Sequence, residues 1–295
     1  MGEKVCLRVA DLTIALITAE PTLRLHVAGA TRLFCVEEGV PDVSVLAAWG
    51  KLSEASRGAR LFTSGHLWQL YEGEAGSYHF YFASSALGAA PYKVASFDRD
   101  FTSGEILLNR SYCAADAPLY PLEYPLDELL LIHLLAKGRG IEVHACGAVD
   151  ADGDGHLFAG QSGAGKTTMA RLWEKHVGGQ ILSDDRIVLR KVGTQIFMYG
   201  TPWHGEGALA SPAKVPLKQV YFLRHGRTND LRPVATAAAV GRLLSCAFPL
   251  FYDRAALEFS LAFLAEVAHL VPCGELEFLP DATVVAFMQD HSKVW

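Results

Sequence analysis

The octet Gly160-Gln161-Ser162-Gly163-Ala164-Gly165-Lys166-Thr167 fits the pattern GxxxxGK[ST] at every fixed position. A loop of this kind works only where a strand leads in and a helix leads out, so eight residues dictate a strand, a tight turn and a helix in that order. Both neighbours have the required character. His156-Leu157-Phe158-Ala159 is a short apolar run, and Met169-Ala170-Arg171-Leu172-Trp173 continues from Lys166 in good helix formers until Gly178-Gly179. The glycines let successive main-chain N–H groups point at one anion, and the following helix offers its positive N-terminal end. Lys166 adds a mobile charge for the β and γ phosphates, the Thr167 hydroxyl suits a Mg²⁺ ligand, and Thr168 reaches a further phosphate. The bland alternative is a glycine-rich turn that binds nothing, and the loop alone names no reaction.

The chain has 295 residues, 51% of them hydrophobic and 20% charged, enough for one large or two modest globular domains. No apolar run reaches the length of a membrane span, and the stretch from Leu12 to Ala19 lacks a basic start and a cleavage site. The six cysteines show no CxxC or zinc-finger spacing and read as buried thiols of a reducing compartment, so a cytoplasmic location and no membrane partner are expected. A formal net charge of -6 with no Lys/Arg run argues against nucleic acid as a partner.

The pattern changes near residues 114–118, where turn formers cluster. Residues 1–115 read as a β-rich N-terminal region serving acceptor or partner binding, with strands over 22–27, 31–36, 67–72, 78–83 and 105–108 and one helix over 43–57. The aromatic run in residues 77–82 reads as a buried strand. Residues 116–295 carry the loop. There, 127–137 predicts a helix and 141–149 an alternating strand with Ile141, Val143, Ala145 and Val149 on one side and His144 and Cys146 on the other. Asp150-Ala151-Asp152-Gly153-Asp154-Gly155 imitates the start of a calcium loop, but the twelfth position is Gln161 rather than Glu, so a tight hairpin turn is expected.

Beyond the loop helix, residues 180–183 predict a strand ending at Asp184-Asp185, followed by a hairpin over 187–191 and 195–199. Two carboxylates at a strand's C-terminal end, beside bound phosphates, divide into one that fixes Mg²⁺ and one that takes a proton from an incoming hydroxyl. Each has a plain alternative, capping a turn or pairing with Arg186. Gly200-Thr201-Pro202-Trp203-His204-Gly205-Glu206-Gly207 is punctuated for a site entrance; Glu206 is there either a second Mg²⁺ carboxylate or a solvated loop residue. Later segments, strands over 218–224 and 275–279 and helices over 235–246 and 255–270, read as scaffold.

From His144 through the loop to Asp184-Asp185, the chain resembles the catalytic core of the HPr kinase/phosphorylase family: a His on the strand before the loop, an SGxGK loop and an Asp pair after the next strand. The resemblance covers residues 126–200 by motif. It implies a mixed α/β fold with the phosphate-loop core shared with ATP-dependent phosphoenolpyruvate carboxykinase. It implies further that Lys166 binds phosphate, Thr167 ligates Mg²⁺, Asp185 is the base and His144 assists it. The bacterial serine kinases of the family carry an ExRGxG segment where this chain has residues 200–207, and the β-rich N-terminal region differs from the family's usual regulatory domain. The chain is thus closer to divergent members with varied acceptors.

The leading expectation is a Mg²⁺-dependent kinase that moves the γ-phosphoryl of ATP to a hydroxyl of a protein, peptide or small molecule. The alternative is a nucleotide-gated peptide- or protein-binding module without phosphotransfer. An oligomer is compatible with the resemblance, whose members often form rings, although the sequence carries no oligomerisation signal.

Overall fold

A computed structural model describes residues 2–52, 58–65, 67–84, 87–112 and 117–291. They group into two compact units, Met1–Leu131 and Ile132–Trp295. Of the turn cluster at residues 114–118, residues 114–116 lie outside the described residues, as does Cys113.

Among the described residues of the first unit, nine strands make one sheet: β1 Lys4–Val9, β2 Leu12–Thr18, β3 Cys35–Val36, β4 Val43–Trp49, β5 Arg60–Thr63, β6 Trp68–Glu72, β7 Tyr78–Ser84, β8 Gly88–Phe97 and β9 Ser103–Leu108, in the order β3-β1-β2-β4-β9-β8-β7-β6-β5. The β-rich character expected of this region is present, but several elements differ. Residues 43–49 form a strand, not the start of a helix; 53–57, the rest of that expected helix, lie outside the described residues. The reason is tertiary: β4 runs between β2 and β9, and Val43, Val45 and Ala47 are fully buried at a period of two. Residues 22–27 are irregular, with an isolated bridge from Leu25 to Leu119, and residues 31–36 are mostly a 3₁₀ turn, Gly29–Phe34, before the two-residue β3. The aromatic strand β7 is buried at Phe80, Tyr81 and Phe82. Asp98 closes the turn between β8 and β9, where Oδ1 accepts from the amides of Asp100 and Thr102 and Oδ2 from the amide and hydroxyl of Ser103 and the hydroxyl of Thr102.

Helix α1, Leu126–Ala136, leads into the second unit. There follow β10 Ile141–Val149, β11 Gly155–Ala159, α2 Lys166–Val177, β12 Ile181–Ser183, β13 Arg186–Val192, β14 Gln195–Gly200, β15 Lys214–His225, β16 Asp230–Pro233, α3 Thr236–Cys246, α4 Arg254–Leu270, β17 Cys273–Phe278 and α5 Thr283–His291. The strands form a mixed sheet in the order β11-β10-β13-β14-β15-β17-β16, with β12 on β10 and an added parallel pairing of β11 with β15. Alternation along β10 places Ile141, Val143, Ala145 and Val149 in one core, with α3 and α4, and Cys146 and Ala148 in another, with α2 and α5.

The hairpin turn between β10 and β11 is held by Asp150, whose Oδ1 accepts from the amides of Asp152 and Asp154 while Oδ2 accepts from His156 Nε2 at 2.8 Å. Its carboxylate is engaged in the turn. Helix α2 starts after Gly165 and stops at Gly178, both at positive φ (99° and 69°). Lys166, Met169, Ala170 and Trp173 form its buried stripe, and Trp173 Nε1 donates to the Val149 carbonyl at 2.8 Å. Of the cysteines, Cys6, Cys146, Cys246 and Cys273 are buried free thiols, whereas Cys35, also free, is exposed: it lies on the short strand β3 at the sheet edge. No helix among the described residues is long and apolar enough to cross a membrane.

Candidate functional site

Strands β11, β15 and β17 run parallel, and the loop after β11 and the C-terminal residue of β15, His225, border a cavity of about 470 Å³. Such strand ends are where open α/β sheets expose ligand sites, because loops and helix N-termini converge there. The cavity is lined by His144, Ser162, Gly163, Gly165, Lys166, Thr167, Thr168, Asp184, Asp185, Gly205, Glu206 and His225. Its lining therefore combines the glycine-rich loop and the first turn of α2, whose N–H groups have no intrahelical acceptor, with the acidic Asp184, Asp185 and Glu206.

The loop's geometry depends on two glycines at positive φ, Gly163 (82°) and Gly165 (99°). Ala164 N–H donates to the Gln161 carbonyl, closing a turn. Lys166 is 6% exposed, and its Nζ donates to the carbonyls of Gly160 (2.9 Å) and Gln161 (3.1 Å). Burial pulls its pKa down, opposed by the charge of Asp185. Gly160, Gln161 and Ala164 do not line the cavity: the first two anchor Lys166, and Ala164 packs on the apolar core beneath the loop.

The two aspartates at the end of β12 have different environments. Asp184 is 1% exposed, and its Oδ1 and Oδ2 accept from the amides of Gly205 (3.0 Å) and Gly207 (2.8 Å). The approach is so close that a Cβ on Gly207 would stand 2.6 Å from Oδ2. Asp184 thus clamps the segment that carries Glu206 onto the cavity wall. Asp185 is partly exposed: Oδ1 lies 2.9 Å from His144 Nε2, and Oδ2 accepts from Arg186 Nη1 at 2.5 Å. Burial favours the neutral form of Asp185, but the His144 hydrogen bond and the charges of Arg186, His144 and Lys166 outweigh it and hold the pKa below its usual value.

Register explains this grouping. β10 and β13 pair antiparallel with His144 opposite Arg186, so both side chains flank the Asp185 carboxylate that precedes β13. Arg186 Nε also lies 3.4 Å from Oε1 of the buried Glu142, and the guanidinium stands 4.6 Å from the Phe248 ring centroid. Arg186 therefore pairs with Asp185, as the plain reading of that residue allowed, while Asp185 still faces the cavity. Ser183 Oγ ties the turn, accepting from the amides of Asp185 and Arg186 and donating to the Trp203 carbonyl.

Three contributors escaped sequence reasoning. His225, Nε2 of which stands 2.7 Å from the Gly163 carbonyl oxygen, lies 62 residues from its partner. Glu142 gave no signal on a strand that reads as core. The Gly205/Gly207 spacing did mark a special segment, but not its acceptor.

No family model matches the chain, and no curated protein matches it. Among solved structures, it is similar to the HPr(Ser) kinase/phosphatase of Coxiella burnetii, at 13% identity over 52% of this chain and 96% of that one, with a TM-score of 0.31. Superposition at that level is too loose to bear on function.

Proposed function

We propose that the chain is an ATP- and Mg²⁺-dependent kinase of the HPr-kinase type, with a phosphate-binding loop at residues 160–167 and a hydroxyl on a protein, peptide or small molecule as acceptor. The observation that carries this reading is that Lys166 and Thr167 share one cavity with Asp184, Asp185 and a histidine bonded to Asp185. The Asp185 carboxylate also acts electrostatically on the loop lysine, in the same cavity.

Thr167, Asp184 and Glu206 border the cavity, and no cluster of three or more His, Cys, Asp or Glu able to hold a metal by itself occurs among the described residues. That donor set suits a Mg²⁺ carried on phosphate oxygens and needing only one or two protein ligands. Bound there, Mg·ATP supplies the phosphoryl group and the counter-charge for it. The free amides at the start of α2 and Lys166 hold the negative charge of the phosphates. Asp185 takes the proton of the acceptor hydroxyl, oriented by His144 on one oxygen and Arg186 on the other. Its depressed pKa keeps it ionised near neutrality, while lowering its basicity. Residues 1–115 are proposed as the region that meets the acceptor or a partner.

The test is transfer from γ-labelled ATP to candidate acceptors. Labelled product that depends on Mg²⁺ and disappears in Asp185→Asn supports the reading. Saturable ATP binding with no labelled product under any acceptor would instead identify a nucleotide-gated binding module.

A further inference from the structure

Strands β15 and β17 end side by side, with His225 directly opposite Phe278 in the parallel register. Their rings stack with centroids 5.9 Å apart and planes 29° apart. The glycine-rich loop sits on this pair. A Cβ added to Gly165 would stand 2.7 Å from Cζ of Phe278 and 3.4 Å from Cε1 of His225, so the loop reaches the rings only because that position is glycine.

From the same platform His225 Nε2 donates to the carbonyl of Gly163 at 2.7 Å. The N–H at the other end of that peptide, on Ala164, is taken by the Gln161 carbonyl at 3.1 Å. The Gly163–Ala164 peptide plane is thus held at both ends. This matters because a main-chain anion site needs carbonyls turned away from the ligand, and a turn of this peptide rotates ψ of Gly163, which no Cβ restricts, together with φ of Ala164. A flipped Gly163 carbonyl facing the cavity would repel an incoming phosphate. His225 is itself part of the cavity wall, so the restraint acts at the site and not through a distant element.

We propose that His225, seated on Phe278, is a positioning residue for polyphosphate binding: it engages the Gly163 carbonyl, so that this oxygen does not turn toward bound phosphate, and it keeps the loop in its anion-accepting form. The inference rests on the reading of residues 160–167 as a nucleotide site. The donor is the Nε2 proton, which the matching neutral tautomer and the imidazolium both supply.

Calorimetric titration with Mg·ATP tests it on wild type, His225→Leu and His225→Gln, each with a melting curve. Leucine fills space without a donor; glutamine places an amide N–H where Nε2 was. His225→Leu is expected to raise Kd about tenfold, the worth of one hydrogen bond, and His225→Gln to remain within about threefold of wild type. A His225→Leu protein that melts like wild type and binds Mg·ATP equally well overturns the inference, as does a His225→Gln protein as weak as the leucine variant. Should His225→Leu melt far below wild type, His225→Asn decides, because its amide is too short to reach the Gly163 carbonyl: equal affinity to wild type would again overturn the inference. No binding by wild type would instead remove the nucleotide reading on which it rests.

Discussion

Replacing Asp184 by alanine should unfasten one side of the site. The carboxylate is 1% exposed and accepts the amides of Gly205 and Gly207 at 3.0 and 2.8 Å. Without it, two main-chain donors lose a charged acceptor, at about 1–3 kcal/mol each. Relief from keeping a carboxylate in a nearly dry place offsets part of that loss, leaving a net cost of about 2–4 kcal/mol. For a unit of this size each kcal/mol moves Tm by about 2–4 °C, so Asp184→Ala should melt about 5–15 °C below wild type. Asp184→Asn keeps one acceptor and turns an NH₂ toward the other amide, and should recover no more than half of the deficit. Thermal denaturation combined with amide hydrogen exchange is the assay, since the same loss should speed exchange at Gly205 and Gly207. A fully folded Asp184→Ala protein that melts within about 2 °C of wild type, with both amides equally protected, would refute the clamp.

Lys166→Ala should lower phosphoryl transfer by about a hundredfold or more, read from γ-labelled ATP with circular dichroism to show an intact fold. Arg186→Gln should reduce kcat at least about tenfold while leaving the Mg·ATP affinity near wild type, and Arg186→Lys should restore only part of it because an ammonium cannot fork between Asp185 and Glu142. Gly207→Ala should lower Tm in the same direction as Asp184→Ala, because its Cβ would stand 2.6 Å from Asp184 Oδ2; an unchanged melting curve would count against the close approach. The turn of the first unit gives a pH test. Burial works against the charged form of Asp98, but its hydrogen bonds from Ser103 and Thr102 hold the pKa down at about 2. The stability it contributes is fully present above the unfolded carboxylate value of about 3.9 and is lost as pH falls toward about 2. Asp98→Asn should therefore be less stable than wild type at neutral pH, with the gap closing across that acid window in denaturant melts.

The local pieces were legible. The apolar run of β11, the spacing of Met169, Ala170 and Trp173 on α2, the Asp-Gly turn before β11 and the hairpin of β13 and β14 all rest on short-range periodicity and turn chemistry. So did the chance that Lys166, Thr167, Asp184 and Asp185 meet, because they lie at the ends of consecutive elements. The region of residues 43–49 was misread because short apolar segments containing alanine suit helix and strand alike, and burial between β2 and β9 decides for the strand.

The chain's own order of residues thus determined a loop shaped by glycines, with a lysine and two acids close behind it. Tertiary structure alone decided that Asp184 holds the Gly205 and Gly207 amides while Asp185 pairs with His144 and Arg186, that Arg186 stands between Asp185 and Glu142, and that His225 reaches the Gly163 carbonyl. The physical reason is strand register: a carboxylate, guanidinium or imidazole acquires its role from whatever the neighbouring strand sets across from it, and no local pattern records that partner.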